Sequence, residues 1–184
     1  MYAITLSTTP SAELRPIEPW QAEEFLAHID RARATVDPWI PWATFSTDLE
    51  SARATLQRYA DKQAADAGRI CGIWLEGTLV GGVMFPKFDA GNRNCEIGCW
   101  TEPAGTGHGL VTKAARVLVD YAFGERGMTR IEWVTTPANE RSQAVAQRLG
   151  MRLDGVLRSE WAYGPRQDSQ VWSLLAEEWA GPDR

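Results

Sequence analysis

The chain predicts an α/β fold in a single domain, on three observations. Its 184 residues suit one domain with a substantial core. Arg69 to Leu75 and Thr78 to Phe85 are apolar runs joined by a Glu76-Gly77 turn, the pattern of a hairpin. Between Asn94 and Thr135 the order is strand, glycine loop, helix, strand. A unit of that length implies a parallel or near-parallel pairing reached by a right-handed crossover.

Taken in order, Ala12 to Ile17 reads as a short strand, and Pro19 to about Arg33 as a helix with Phe25, Leu26 and Ile29 on one face. The segment Val36 to Phe45 holds Pro38, Trp39, Pro41 and Trp42, and its two prolines argue against a regular helix. Its aromatic rings either plug the core under a loop or wall an acceptor pocket, and both roles are compatible. Thr47 and Glu50 have capping-box spacing for a helix running to about Ala67, stopped by Gly68.

Asn94 to Trp100 is a short buried strand. Leu110 to Phe123 is a helix with Leu110, Val111, Ala114, Val117, Leu118, Tyr121 and Ala122 at helical spacing. Arg130 to Thr135 is the next strand. Asn139 to Gly150 is a helix with Val145, Ala146 and Leu149 inward, and Leu153 to Tyr163 and Ser169 to Leu175 are the last strands.

Composition excludes several functions. No apolar run approaches the ~20 residues of a membrane span, and Met1 to Leu6 lacks the parts of a signal peptide. Three cysteines (Cys71, Cys95, Cys99) and two histidines, with no Cys-x-x-Cys pair, argue against a metal site. Reduced thiols in a cytoplasmic protein are the expectation. A net charge of −5 argues against nucleic acid or an anionic membrane as the main partner. It suits a cationic partner such as an amine, and equally a merely soluble surface.

The loop between the Asn94 strand and its helix carries Gly105, Gly107 and Gly109. Glycine lets the backbone approach a ligand closely, and the free N–H groups of the helix start attract anions. A diphosphate fits such a loop, although glycines there equally make a plain tight turn.

Several of these segments together resemble the GNAT acyltransferase superfamily, closest to its RimJ/RimL-like branch. Glu96-Ile97-Gly98-Cys99-Trp100 resembles the strand that holds the pantetheine arm, and Ala104 to Gly109 resembles the pyrophosphate loop. Asn139-x-x-Ser142 ahead of Leu149-Gly150-Met151 is similar to the branch's Asn-x-x-Ser and Gly-Phe ending. Leu14-Arg15-Pro16 and Trp39-Ile40-Pro41-Trp42 also look like this branch. The resemblance implies a mixed, mostly antiparallel twisted sheet with a splayed parallel pair and helices on both faces. It also implies a possible homodimer.

It implies an N-acyltransferase that moves an acetyl group from acetyl-CoA to a primary amine by direct attack in a ternary complex. The amine would belong to a protein N-terminus or a small molecule. Coenzyme contacts would come from Cys99, Trp100, Thr101, Gly105, Thr106, Gly107, His108, Gly109, Leu110, Val111, Asn139 and Ser142. Trp39, Trp42, Glu160 and Tyr163 would line the acceptor site.

Ala104 departs from the family's Gln or Arg, so backbone N–H groups must grip the phosphates there. Trp161 stands where ribosomal-protein acetylating members carry a glutamate, with Glu160 one residue earlier and thus on the opposite strand face.

The chemistry ranks the needs. A protein α-amine has a pKa of about 8, so roughly a tenth is free base at pH 7. Aligning the two reactants supplies ~7–11 kcal/mol, more than any acid on the leaving thiol. The Glu96–Trp100 backbone would orient the thioester, with Glu96 as the leading base and Ser142 near sulfur. A non-catalytic acyl-CoA sensor and an enzyme using succinyl-CoA are the alternatives. A Rossmann nucleotide site is excluded, because Thr135-Thr136-Pro137 provides no acidic residue at that strand's end.

Overall fold

The computed structural model describes residues 3–161 and 165–181; Tyr163 lies outside them. Among the described residues, eight strands form one sheet: β1 (Ile4–Thr8), β2 (Ser11–Pro16), β3 (Arg69–Leu75), β4 (Thr78–Asp89), β5 (Asn94–Thr101), β6 (Arg130–Thr135), β7 (Arg152–Trp161) and β8 (Gln167–Leu175). Their spatial order is β1-β2-β3-β4-β5-β6-β8-β7. Every neighbouring pair is antiparallel except β5 with β6, which is the crossover expected from the sequence.

The helices are α1 (Ala22–Val36), α2 (Pro41–Phe45), α3 (Leu49–Ala64), α4 (Leu110–Asp120) and α5 (Glu140–Arg148). They divide between the faces of the sheet. Phe25, Ile29 and Leu56 of α1 and α3 pack with Ile70, Trp74 and Trp100 on one side. Ala114, Leu118 and Val145 of α4 and α5 pack with Val83, Ile97 and Ile131 on the other. Burying one large apolar side chain stabilises by about 1.5–3 kcal/mol, so two such cores clamp the sheet from both sides.

Three local features differ from expectation. β1 was not anticipated; it gains its stability by pairing with β2, a contact no local pattern announces. The proline-rich segment does form a short helix, because Pro41 opens α2 at the first position, where its missing N–H costs nothing. Asp48, not Thr47, caps α3: its Oδ1 accepts from the Ser51 N–H at 2.8 Å, while Ser51 Oγ accepts from the Asp48 N–H at 3.1 Å.

The feature that builds the site is the parting of β5 and β6. They pair only at Asn94↔Arg130, Cys95↔Ile131 and Glu96↔Glu132. Beyond Glu96, β5 runs on to Thr101 along β4, and β6 runs on to Thr135 along β8. A V-shaped gap opens between them. An extra residue in β4 between Met84 and Lys87 bends the strand at Pro86, which has no N–H for the ladder.

Candidate active site

The gap is a cavity of about 660 Å³. Side chains alternate across β5, so Cys95, Ile97 and Cys99 face α4 while Glu96, Gly98 and Trp100 face α1 and α3. Glu96, Gly98, Cys99, Trp100 and Thr101 all line the cavity.

On the α4 side the three loop glycines have different reasons. Gly105 is buried, and a Cβ there would come within 2.5 Å of Thr101 Oγ1, so close packing requires it. Gly107 and Gly109 have φ of +84° and +69°, and a Cβ on either would meet no protein atom within 4 Å. Their backbone therefore turns left-handed in front of open space. Gly109 is also the N-cap of α4 and no side chain caps that helix, so the first N–H groups of an 11-residue helix are left for a ligand. Thr106, Leu110 and Val111 complete this wall; His108 does not line the cavity and is exposed.

Helix α5 presents Arg141, Ser142, Val145 and Arg148 to the same space, residues that share one helical face. Asn139 Oδ1 accepts from the Ser142 N–H at 3.2 Å, so the side chain caps α5 through its oxygen. Asn139 lines the cavity as well. Trp133 on β6 donates its indole N–H to Ser142 Oγ at 2.8 Å, which occupies an acceptor lone pair and leaves the hydroxyl proton available. The two arginines and Trp133 were missed in the sequence because nothing local marks them as facing a cleft.

On the α1 and α3 side Glu96 sits at the apex of the V. Burial pushes its carboxyl above the ordinary value, the Lys87 ammonium at 3.3 Å opposes this, and Glu132 and Glu160 add to the rise. Glu132, opposite Glu96 in register, is balanced by Arg130 at 3.0 Å, which also holds Asp154 at 2.6 Å. Like charges facing across a strand pair destabilise, so these cations are needed.

Trp39, Trp42 and Tyr59 form the neighbouring wall. Trp100 stands edge-on to Trp42 with centroids 5.2 Å apart, and donates its N–H to His28 Nε2 at 2.9 Å. Burial, then Arg31, lowers His28 to about 4 and keeps it a neutral acceptor at physiological pH. Arg31 Nε in turn bonds the buried Glu102 at 2.9 Å.

Glu160 does not line the cavity: it is exposed, and its carboxylate accepts from Ser169 Oγ at 2.6 Å. Trp161, one residue on, does line it. The lining position expected of Glu160 is thus taken by its neighbour, because successive strand residues point to opposite faces.

A cleft with an uncapped, glycine-led helix start on one side and a half-buried carboxylate near aromatic rings on the other has the form of a coenzyme-dependent group-transfer site. Residues 12–152 match the acetyltransferase (GNAT) domain, and the chain belongs to that family. YdaF of Bacillus subtilis (strain 168), which bears a ribosomal N-acetyltransferase name, is 30% identical over 91% of this chain and 93% of its own. Spermidine N(1)-acetyltransferase of Escherichia coli (strain K12) is 23% identical over 83% of this chain and 80% of its own. Among solved structures, the ribosomal L7/L12 α-N-protein acetyltransferase RimL, in complex with coenzyme A, superposes with a TM-score of 0.88. It is 18% identical, covering 96% of this chain and 99% of that one. The protein is an N-acetyltransferase with acetyl-CoA as co-substrate. Among the described residues no helix is long and apolar enough to cross a membrane.

Proposed function

We propose that the enzyme acetylates a primary amine, of a protein N-terminus or a small molecule, by direct attack in a ternary complex. The observation that carries this reading is one cavity with the uncapped, glycine-led start of α4 at one end and Glu96 at the other. Amides of Gly107 to Val111 hold the diphosphate, with Arg141 and Arg148 supplying the cations that Ala104 does not. The unpaired edge of β5 beyond Glu96 aligns the thioester and polarises its carbonyl. Glu96 takes the ammonium proton, directly or through water. The amine nitrogen then bonds the thioester carbon, and collapse of the tetrahedral intermediate breaks the carbon–sulfur bond. Ser142 donates its hydroxyl proton to the departing sulfur, and the surplus proton on the amide-forming nitrogen returns through water to Ser142 Oγ, so that coenzyme A leaves as the thiol and the serine ends as it began.

Ser142→Ala lowers kcat about 10-fold, a modest loss because protonating a thiol of pKa ~8.5 is worth at most ~2 kcal/mol at neutral pH. Trp133→Phe reproduces a smaller part of that loss through the misdirected hydroxyl, and the double variant is no worse than Ser142→Ala. Steady-state kinetics on all three decide it. Mass spectrometry of products from an acyl-CoA by amine matrix tests the function itself. No acetylated amine from the whole matrix would favour a non-catalytic acyl-CoA sensor, and faster succinyl transfer would change the donor.

A homodimer belongs to the same reading. β7 is an edge strand on which Leu153, Val156 and Leu157 are 44–50% exposed, and we assign this edge of the sheet to the second copy. Light scattering should give twice the chain mass, and Leu157→Glu should halve it.

A further inference from the structure

Beyond Glu96, β5 is bonded along one edge only. Its ladder partner is β4, with Met84↔Gly98, Val83↔Cys99, Gly82↔Trp100 and Gly81↔Thr101, while its pairing with β6 has ended. A strand held on one side needs a further restraint if its free edge is to keep a thioester in place. Misplacing reacting groups by about 1 Å costs on the order of 100-fold in rate.

The side chains of this segment supply that restraint, and they reach α1. Trp100 is 3% exposed, so it backs the cavity wall and offers little surface to a ligand. Its ring lies across Gly82, where any Cβ would collide with it, and stands edge-on to Trp42. Its indole N–H donates to Nε2 of the fully buried His28 at 2.9 Å. Because Nε2 accepts, the proton of the neutral ring sits on Nδ1, which lies 3.5 Å from Glu102 Oε2. Glu102, also buried, directly follows β5. Arg31 of α1 clasps it and bonds the Leu79 carbonyl of β4 at 2.8 Å. One helix thus holds the free end of β5 at Trp100 and again at Glu102. The first of these bonds is sealed from water, where no solvent competes for it.

We propose that His28 is a positioning residue for acyl transfer: through Trp100 it fixes the stretch of β5 that has left β6, and with it the edge that polarises the thioester carbonyl. His28 itself does not line the cavity. The proposal rests on the acetyltransferase reading of that edge and adds the residue behind it.

The test reads the thioester directly, with [1-13C]acetyl-CoA as probe and the infrared stretch of its labelled carbonyl as signal. In the wild-type protein, bound ligand should absorb at lower wavenumber than free acetyl-CoA, because donors along β5 weaken the C=O bond. His28→Asn is one methylene too short to reach the indole, so it should lose most of that shift and broaden the band. His28→Gln sets an amide oxygen where Nε2 stands and should restore both. Calorimetry should give acetyl-CoA Kd values within about twofold of each other, since the start of α4 is untouched. Ile29→Val trims the next residue of α1 without removing the hydrogen bond, and should keep the wild-type band. A wild-type band in His28→Asn, no rescue by His28→Gln, or an equal loss in Ile29→Val would overturn the proposal. If His28→Asn does not fold, Trp100→Phe, which removes the donor, replaces it with the same expected loss. Wild-type protein that binds acetyl-CoA without any shift would instead sink the alignment of the thioester by β5, and the role of His28 with it.

Discussion

Glu96→Gln is expected to lower kcat by about 10²–10³, within the range that a positioned general base contributes, while acetyl-CoA affinity stays close to wild type. The side chain stands at the apex where β5 and β6 part, on the strand face opposite Cys99. Its carboxyl is held above the ordinary value by burial, with Lys87 as the moderating cation. A base must be deprotonated to act, so kcat/KM should rise with pH through the titration of Glu96. Because the pKa is raised, that acid limb lies at higher pH than for a free carboxylate. Glu96→Gln should flatten the limb. Lys87→Ala removes an influence that lowers the pKa, so it should move the limb to still higher pH. A pH–rate profile on the three proteins reads both effects, and full activity in Glu96→Gln would remove the residue from catalysis.

Gly109→Val should abolish the rise in melting temperature that acetyl-CoA gives the wild-type protein. Ligand at 100 times its Kd stabilises a native state by about 2.7 kcal/mol, and this is the amount at stake. The left-handed φ of +69° strains any residue with a Cβ, at a cost of about 1–2 kcal/mol. The added atoms meet open space rather than protein, so the fold should survive and the ligand should be excluded. Gly107→Val should behave alike. Gly105→Ala makes the useful contrast: its Cβ collides with Thr101 Oγ1, so it should destabilise the apo-protein. Thermal melts with and without millimolar acetyl-CoA separate the two outcomes. A wild-type level of stabilisation in Gly109→Val would dismiss the loop as the phosphate cradle.

These expectations show where local pattern sufficed. Helical spacing from Leu110 onward placed α4 correctly up to Asp120, after which Tyr121 to Glu125 widen into a π-type turn. Glycines at 105, 107 and 109 read alike in the sequence. The structure separates one that answers to packing from two that answer to backbone handedness. Asn139 and Ser142 were legible as a pair because cap and helix share a three-residue spacing, which the Ser142 N–H bond realises. Arg141, Arg148, Tyr59 and Trp133 were not legible as cavity residues. Each looks like an ordinary helix or strand residue, and only long-range packing turns it toward the gap.

By itself the sequence determined the order of elements from α3 to β8, the parallel crossover, the uncapped glycine-led helix start and the family resemblance. All of these are written in short-range spacing, where backbone dihedrals and side-chain periodicity act within a few residues. Only the tertiary structure decided that β5 and β6 separate after Glu96, that Trp161 rather than Glu160 faces the cavity, and that Trp133 holds Ser142. Those outcomes depend on register, on a bulge at Pro86 and on contacts between distant segments. They exist only once both faces of the sheet are packed.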